Sequence, residues 1–191
     1  FIVLCGRSGC GKTTLLRHLK TAIMPEGKRS GEALIDGRSV ADMSAAESAQ
    51  TVGFVMQDPE MQIVTDKVWH ELAFGLESLG AKKDKIRMRT AEMAAYFGMQ
   101  GIFDKKITEL SGGQKQLLNL AGVMTSCPKI LLLDEPTSQL DPVAAENFIS
   151  TVARINRELG VTVVMTEHRL EEVFALADRV VVMDGGRVVS D

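Results

Sequence analysis

Short apolar runs alternate with amphipathic segments along most of the chain. The runs end at or just before glycine or a polar residue, and they lie at 1–4, 51–56, 129–133, 161–165 and 179–183. Buried parallel strands have this appearance because both of their faces are covered. Helical spacing marks residues 13–23, a segment from Gly113, residues 142–159 and a short segment from Leu170, while 31–40 has the pattern of a short strand and turn. The alternation predicts an α/β fold, a mostly parallel sheet with helices on both faces.

Residues 66–109 interrupt this alternation with purely helical spacing. The apolar positions are Val68, Leu72, Leu76 and Leu79 in a first segment and Ile86, Met93 and Phe97 in a second. Two amphipathic helices inside an α/β domain predict an inserted α-helical subdomain. We therefore expect a single domain over 1–191, with a core formed by 1–65 and 113–191 and a helical insert over 66–112.

The first strand of this prediction begins at residue 1. It reads Phe1-Ile2-Val3-Leu4, has the composition of a central strand and is preceded by no initiator Met. We expect that the sequence is a fragment whose N-terminal strands are missing.

Composition narrows the class of partner. Lys and Arg total 22 against 25 for Asp and Glu, a formal net charge of -3, so no basic surface indicates nucleic acid and protein partners are expected. The three cysteines form no CxxC pair, which favours a reducing cytosol over a disulfide framework or a zinc site. No apolar run approaches the roughly 20 residues of a membrane-spanning helix, so work at a membrane would need another chain.

A glycine-rich segment follows the first apolar run and precedes a helix. It matches GxxxxGK[ST] at every fixed position and reads Gly6-Arg7-Ser8-Gly9-Cys10-Gly11-Lys12-Thr13. This context defines a phosphate loop, in which backbone N–H groups and a helix N-terminus surround the phosphates. Lys12 is expected on the β- and γ-phosphates and Thr13 on Mg²⁺. The expected nucleotide contacts are Gly6, Ser8, Gly9, Cys10, Gly11, Lys12, Thr13 and Thr14.

Two carboxylates, Asp134 and Glu135, end the apolar run at 130–133. An acidic pair after a strand is commonly only a solvated loop or a helix cap. Together with a phosphate loop it is the Walker B pattern, in which Asp134 holds Mg²⁺. Glu135 is then placed to orient or deprotonate the attacking water.

The segment Leu110-Ser111-Gly112-Gly113-Gln114, just upstream of that run, resembles the signature of the ABC ATPase family. A hydroxyl and two glycines at a helix start make a second anion site. One chain has no use for two γ-phosphate cradles unless the second faces a neighbour's nucleotide. The resemblance implies a P-loop NTPase of RecA-like fold that pairs head to tail, as a homodimer or heterodimer, and sandwiches two ATP molecules. Residues Ser111, Gly112, Gly113 and Gln114 would contact nucleotide there.

Other residues match the ABC pattern in order and spacing, so the resemblance covers the whole chain. Gln57 is similar to the Q-loop glutamine, Ser138-Gln139-Leu140-Asp141 to the D-loop and His168 to the switch histidine. A lone Gln or His at such places is usually structural, but the register with the other motifs favours the functional interpretation. The resemblance implies catalytic roles for Glu135, His168, Gln57 and Lys12, nucleotide contact by Asp141, and a Mg²⁺ site at Thr13, Gln57 and Asp134.

Within the family, one group shares further segments with the chain. The segments are Gln57-Asp58-Pro59-Glu60-Met61-Gln62-Ile63-Val64, Glu71-Leu72-Ala73-Phe74-Gly75, Glu167-His168-Arg169-Leu170-Glu171 and Ala177-Asp178-Arg179-Val180. They resemble the ATPases of energy-coupling factor transporters, which import vitamins and metal ions. The resemblance implies an ATP-hydrolysing motor subunit, peripheral at the cytoplasmic face of the cell membrane, bound to transmembrane subunits and not to nucleic acid.

A soluble ABC ATPase acting as a mechanical clamp on ribosomes or DNA is the alternative. The DNA-repair type carries a long coiled coil between the phosphate loop and the signature, and this chain has neither the room nor the heptads for one. The ribosome type carries two such domains on one chain. A nucleotide switch without hydrolysis is disfavoured by the presence of Glu135 and His168.

Overall fold

The computed structural model describes residues 1–191, which contain eight strands and seven α-helices. The strands are β1 (Ile2–Gly6), β2 (Leu34–Ile35), β3 (Arg38–Ser39), β4 (Val52–Val55), β5 (Ile130–Asp134), β6 (Thr162–Thr166), β7 (Arg179–Asp184) and β8 (Arg187–Ser190). The helices are α1 (Lys12–Arg17), α2 (Ala45–Thr51), α3 (Val68–Ser78), α4 (Lys83–Tyr96), α5 (Gly112–Met124), α6 (Pro142–Leu159) and α7 (Leu170–Val173).

Six of the strands form one sheet in the order β4-β5-β6-β1-β7-β8, and β2 and β3 form a separate hairpin. All pairings in the large sheet are parallel except that of β7 with β8. In register, Val55 of β4 lies beside Leu133 of β5, and Leu133 lies beside Met165 of β6. The parallel strands therefore end at one common edge of the sheet, which is where ligands bind in open α/β sheets.

Alternate residues of the central strands belong to two hydrophobic cores. Leu131 and Leu133 of β5 pack in one core with Phe148 of α6, whereas Leu132 packs in the other with Leu16 of α1. Successive side chains of a strand point to opposite faces, so helices must cover both faces of the sheet. This explains why β5 reads as a continuous apolar run.

A third core lies within the helical region. Val68 and Leu72 of α3 and Ala94 of α4 pack there with Leu118 and Ala121 of α5. Helix α5 also contacts β4, so it joins the helical region to the sheet. The division into a core of 1–65 and 113–191 and an insert of 66–112 stays a prediction.

Several predicted elements differ from the observed ones. The helix expected over 13–23 ends at Arg17, and Thr21–Ile23 is a separate 3-10 turn. Lys20 lies between them and donates a hydrogen bond from Nζ to the carbonyl oxygen of Val52, so a tertiary contact replaces the next helical turn. Helix α2 and strand β8 were not predicted. No helix has both the length and the apolar character needed to cross a membrane.

Candidate active site

The predicted motifs meet at the carboxyl edge of the parallel sheet. The phosphate loop follows β1, Gln57 follows β4, Asp134 ends β5 with Glu135 directly after it, and His168 follows β6. These strands are neighbours in the sheet, so residues up to 162 positions apart in the sequence converge on one place. The sequence therefore forms the site through topology and not through local spacing.

Two glycines of the phosphate loop, Gly6 and Gly11, have backbone conformations that residues with a side chain rarely adopt. Gly11 precedes α1 with a φ of 101°, in the left-handed region. Gly6 has a φ of 147° and lies so close to β7 that a Cβ atom there would be 2.2 Å from the carbonyl oxygen of Met183. Any side chain at Gly6 would push the loop away from the sheet.

Lys12 is the buried cation of the loop. Its side chain is 4% exposed, and its Nζ donates to the carbonyl oxygens of Gly6, at 3.0 Å, and Arg7, at 3.4 Å. Glu135 Oε1 lies 3.7 Å from the same nitrogen. The ammonium group is thus held at the loop, in front of the strand that ends in the two carboxylates.

Thr13, Asp134 and Thr166 form a chain of hydroxyl and carboxylate oxygens. The hydroxyl of Thr13 donates to Asp134 Oδ1 at 2.8 Å, and the hydroxyl of Thr166 donates to the same oxygen at 3.0 Å. Hydroxyl and carboxylate oxygens are the ligands that Mg²⁺ prefers. The contact between Thr13 and Asp134, 121 residues apart, therefore fits the expected Mg²⁺ site.

Glu135 lies at the centre of the polar groups. Its Oε1 is 2.7 Å from His168 Nε2, and its Oε2 accepts a hydrogen bond from Gln57 Nε2 at 3.3 Å. Its backbone is left-handed, with a φ of 46°, which is strained for a residue with a side chain. The N–H of Glu135 donates to the hydroxyl of Thr166 at 2.9 Å, and this bond supports the strained turn. The four residues expected to be catalytic are thus brought together around one carboxylate.

Two buried residues behind the site were not predicted. Thr166 is fully buried and bonds both Asp134 and Glu135. Glu167 is 2% exposed, accepts the hydroxyl of Thr137 at 2.6 Å and accepts the backbone N–H of His168 at 2.8 Å. It therefore fixes the start of the loop that carries His168. A polar residue directly after an apolar strand was the available signal for both.

The signature segment forms the start of α5. Ser111 is the N-cap, with its hydroxyl accepting the N–H of Gln114, while Gln114 Oε1 accepts the N–H of Ser111. Gly113 packs against α6, and a Cβ there would lie 2.8 Å from Cβ of Ala144. No hydrogen bond or ion pair joins residues 111–114 to the phosphate loop. The two predicted anion sites are therefore separate features of this chain.

Asp141 and Cys10 have structural contacts in addition to their predicted roles. Asp141 is the N-cap of α6, and its Oδ1 accepts the N–H of Ala144 at 3.0 Å. Cys10 is 5% exposed. Nucleotide contact by these two residues, as by the rest of the predicted set, stays a prediction.

A groove of about 360 Å³ lies between the helical region and the sheet. Its lining includes Lys20, Val52, Phe74, Leu79, Asn119 and Val123. Burial lowers the pKa of the Lys20 ammonium group. Three apolar side chains in the segment that runs from Gln57 to Leu79 are partly or largely exposed, namely Met61, Val64 and Trp69.

Residues 1–138 match the family model described as ABC transporter, and with this fold and site the chain belongs to the ABC transporter family of ATP-binding proteins. ABC ATPases bind ATP. The chain is 51% identical over 191 residues to a Bacillus cereus protein named as an ABC transporter ATP-binding protein, of which it covers 34%. A Methanosarcina acetivorans protein of the same name is 40% identical over 193 residues, with 30% of it covered. The chain thus spans about a third of the length of the curated relatives it matches.

Two solved structures confirm the fold class. The structure of cbiO1 from Clostridium perfringens, described as part of the ABC transporter complex cbiONQ, has a TM-score of 0.87 at 32% identity, over 99% of this chain and 75% of that one. The ATP-binding cassette MJ0796, a dimer in a post-hydrolysis state bound to ADP and Pi, has a TM-score of 0.81 at 25% identity, over 100% and 83%. The expected P-loop NTPase fold with a mostly parallel sheet is therefore correct.

Proposed function

We propose that the chain is the ATP-binding and ATP-hydrolysing unit of an ABC-type membrane transporter. The observation that carries the proposal is the single cluster in which Lys12, Gln57 and His168 surround Glu135. A metal-binding pair, Thr13 and Asp134, lies directly beside it. Cation, carboxylate and metal ligands at one strand edge are what phosphoryl transfer to water requires.

The phosphate loop and Lys12 bind the triphosphate in this proposal. Lys12 Nζ exchanges its bonds to the carbonyl oxygens of Gly6 and Arg7 for phosphate oxygens, while the loop amides take the remaining charge. Thr13, Asp134 and Gln57 would hold Mg²⁺, which would neutralise charge on the phosphates. The nucleotide contacts extend over Gly6, Ser8, Gly9, Cys10, Gly11, Thr13 and Thr14.

Glu135 activates the water. Its carboxylate accepts a proton from the attacking water or orients it, and His168 and Gln57 hold the carboxylate from two sides. The backbone of Glu135 is left-handed directly after the strand, and its side chain contacts both of these partners. Catalysis of this kind depends on positioned groups that already lie where charge develops.

A second ATPase unit completes the site in the proposed mechanism. Ser111, Gly112, Gly113 and Gln114 lie at an exposed helix start and bind the nucleotide of that unit, with Asp141 near the joint between them. The dimer described for MJ0796 supports this arrangement. The curated relatives are about three times as long as the chain. The second unit could therefore come from the same polypeptide or from a separate homologous subunit, and the experiment below distinguishes the two.

The segment from Gln57 to Leu79 is the proposed dock for a transmembrane subunit. It connects the active site to helix α3, and three of its apolar side chains, Met61, Val64 and Trp69, are partly or largely exposed. The similarity to cbiO1, and the resemblance of residues 57–64 and 71–75, support an energy-coupling factor importer of a vitamin or metal ion. The unit would then lie peripherally at the cytoplasmic face of the cell membrane.

Replacement of the activating carboxylate tests the hydrolytic part. Glu135→Gln keeps the size and the hydrogen bonds but removes the charge that activates water. We expect the purified protein to bind ATP with the wild-type affinity while kcat falls at least about a hundredfold, within the range of such groups. Light scattering with MgATP should then show a stable closed pair of units.

Lys12→Ala is the matched control, because it should abolish tight ATP binding and with it the closed pair. The mass of the closed species shows whether the units share one polypeptide or come from two. Wild-type turnover by Glu135→Gln, or a monomeric and fully active enzyme whose polypeptide holds a single unit, would contradict the proposal.

Membrane purification tests the transporter part. Extraction in mild detergent should recover the protein together with transmembrane chains. Val64→Asp should reduce that recovery, because it places a charge among the exposed apolar side chains of the proposed dock. Recovery only from the soluble fraction, in company with ribosomes or DNA, would favour the mechanical-clamp alternative.

A further inference from the structure

A single buried amide joins the two loops that carry Gln57 and Glu135. Gln116, on α5, is fully buried, and its Nε2 lies 3.1 Å from the carbonyl oxygen of Met56 and 2.9 Å from that of Pro136. Both partners can only accept hydrogen bonds, so Nε2 uses both of its hydrogens as donors. No other orientation of the amide satisfies these two carbonyls.

The two carbonyl groups belong to residues that adjoin Gln57 and Glu135 in the sequence. Met56 immediately precedes Gln57 in the sequence, and Pro136 immediately follows Glu135. The side chains of Gln57 and Glu135 themselves meet across the site, with Nε2 of one 3.3 Å from Oε2 of the other. The amide of Gln116 therefore fixes the separation of the two backbones whose side chains form that contact.

Two neighbouring residues of α5 also contact the segment after β4. Lys115 forms an ion pair with Glu60, and Nδ2 of Asn119 donates to the carbonyl oxygen of Pro59 at 3.1 Å. These two contacts reach only the distal part of the Gln57 loop. Gln116 alone reaches both that loop and the turn after Glu135.

We infer that Gln116 is a positioning residue for hydrolysis, through which α5 holds Gln57 and Glu135 at their working separation. The inference rests on the proposed function of the site. Because Ser111 is the N-cap of α5, the helix that faces the second unit's nucleotide also sets the geometry of its own unit's carboxylate. Binding of the second unit's nucleotide to the signature segment would in this way change the position of Glu135 through a single helix of 13 residues.

Gln116→Met tests the inference, since methionine has a similar length but no donor. We expect kcat for ATP to fall by about tenfold to a hundredfold, the loss expected when catalytic groups are misplaced by an ångström or less. KM and the affinity for ATP should stay within about twofold, because the phosphate loop is untouched. Gln116→Glu, which keeps the shape but sets a carboxylate against the two carbonyls, should show the same selective loss of kcat.

Asn119→Leu is the matched control. It also removes a buried amide from the same face of α5, but it frees only the carbonyl oxygen of Pro59. Its kcat should stay within about threefold of wild type. In a Glu135→Gln background, Gln116→Met should still form the closed pair with MgATP, which a merely unfolded variant would not.

The outcomes separate the inference from the proposed function. A wild-type protein without ATPase activity would overturn both. With an active wild type, unchanged kcat in Gln116→Met would overturn the positioning role alone, as would an equal loss in Asn119→Leu. A parallel loss of ATP affinity would assign Gln116 to general folding and overturn it as well.

Discussion

The role of the Thr166 hydroxyl in the site can be tested by a substitution that removes little else. Thr166→Val replaces this hydroxyl by a methyl group of nearly the same shape, in a position that is fully buried. Two hydrogen bonds are lost, one accepted from the N–H of Glu135 at 2.9 Å and one donated to Asp134 Oδ1 at 3.0 Å. The residue itself remains in β6 with its backbone pairing intact.

The magnitude follows from the kind of bond that is lost. A bond between neutral groups contributes about 0.5–1.5 kcal/mol and one to a charged group about 1.5–3 kcal/mol. Asp134 keeps the hydroxyl of Thr13, and the N–H of Glu135 keeps the carbonyl oxygen of Thr166 at 3.1 Å, so neither group is left without a partner. We therefore expect the lower end of the sum, a loss of about 2 kcal/mol in the free energy of unfolding.

Urea unfolding without nucleotide or metal measures that loss, and steady-state hydrolysis measures its effect on the site. The freed turn at Glu135 should lower kcat at least about tenfold. Thr166→Ser is the control, because it keeps the hydroxyl and removes only a methyl group, so its kcat should stay within about threefold. A loss below about 0.5 kcal/mol in Thr166→Val, or equal kcat in the two variants, would refute the role given to the hydroxyl.

Two further predictions concern packing and ionisation. Gly113→Ala should lower the free energy of unfolding by about 1–3 kcal/mol, because the new Cβ meets Ala144 at 2.8 Å, whereas the adjacent Gly112→Ala has open space and should cost nothing in urea unfolding. If both variants unfold alike, the contact with α6 is not tight. Burial and the hydrogen bond to Glu158 raise the pKa of the Tyr96 phenol above its ordinary value of 10.0, so the stability linked to the neutral phenol is complete below pH 10 and is lost as the pH rises through the raised pKa. The phenolate absorbance that disappears in Tyr96→Phe should titrate above pH 10, and a midpoint at or below 10 would contradict this.

The sequence predicted the sheet and its helices wherever the apolar pattern was long. Helix α6 was expected over 142–159 and runs from Pro142 to Leu159. Helix α2, which begins with a capping box of Ser44 and Glu47, was not predicted, because it has only seven residues and buries little, so its periodicity is weak. Strand β8 is exposed along its whole length, and an exposed strand gives no apolar alternation. The end of α1 at Arg17 depends on the distant contact of Lys20 with Val52, which no local pattern contains.

For the site, the sequence supplied the residues but not the contacts that hold them. Motif spacing placed Lys12, Asp134 and Glu135 after strands, and parallel topology then required them to meet. Thr166 and Gln116 carry no motif of their own, and their importance comes from hydrogen bonds to backbone atoms that are adjacent only in the folded chain. Glu167 belongs to a segment that the resemblance includes, but its bond to the hydroxyl of Thr137, 30 residues away, forms only in the folded chain. Such bonds depend on strand order and on the approach of α5, which the periodicity of a single sequence does not specify.

The central strands contribute side chains to two cores, and this restricts which substitutions they can accept during evolution. Leu131, Leu132 and Leu133 are all fully buried, so a polar replacement at any of them is unfavourable whichever face it points to. Helix α4 is the opposite case, since only three of its 14 residues are buried. Neutral divergence among relatives should therefore accumulate on the outer helices of the helical region and leave the middle of the sheet nearly fixed. We therefore expect the positions shared with the Bacillus cereus relative, which is 51% identical, to be concentrated in the buried strands as well as in the active site.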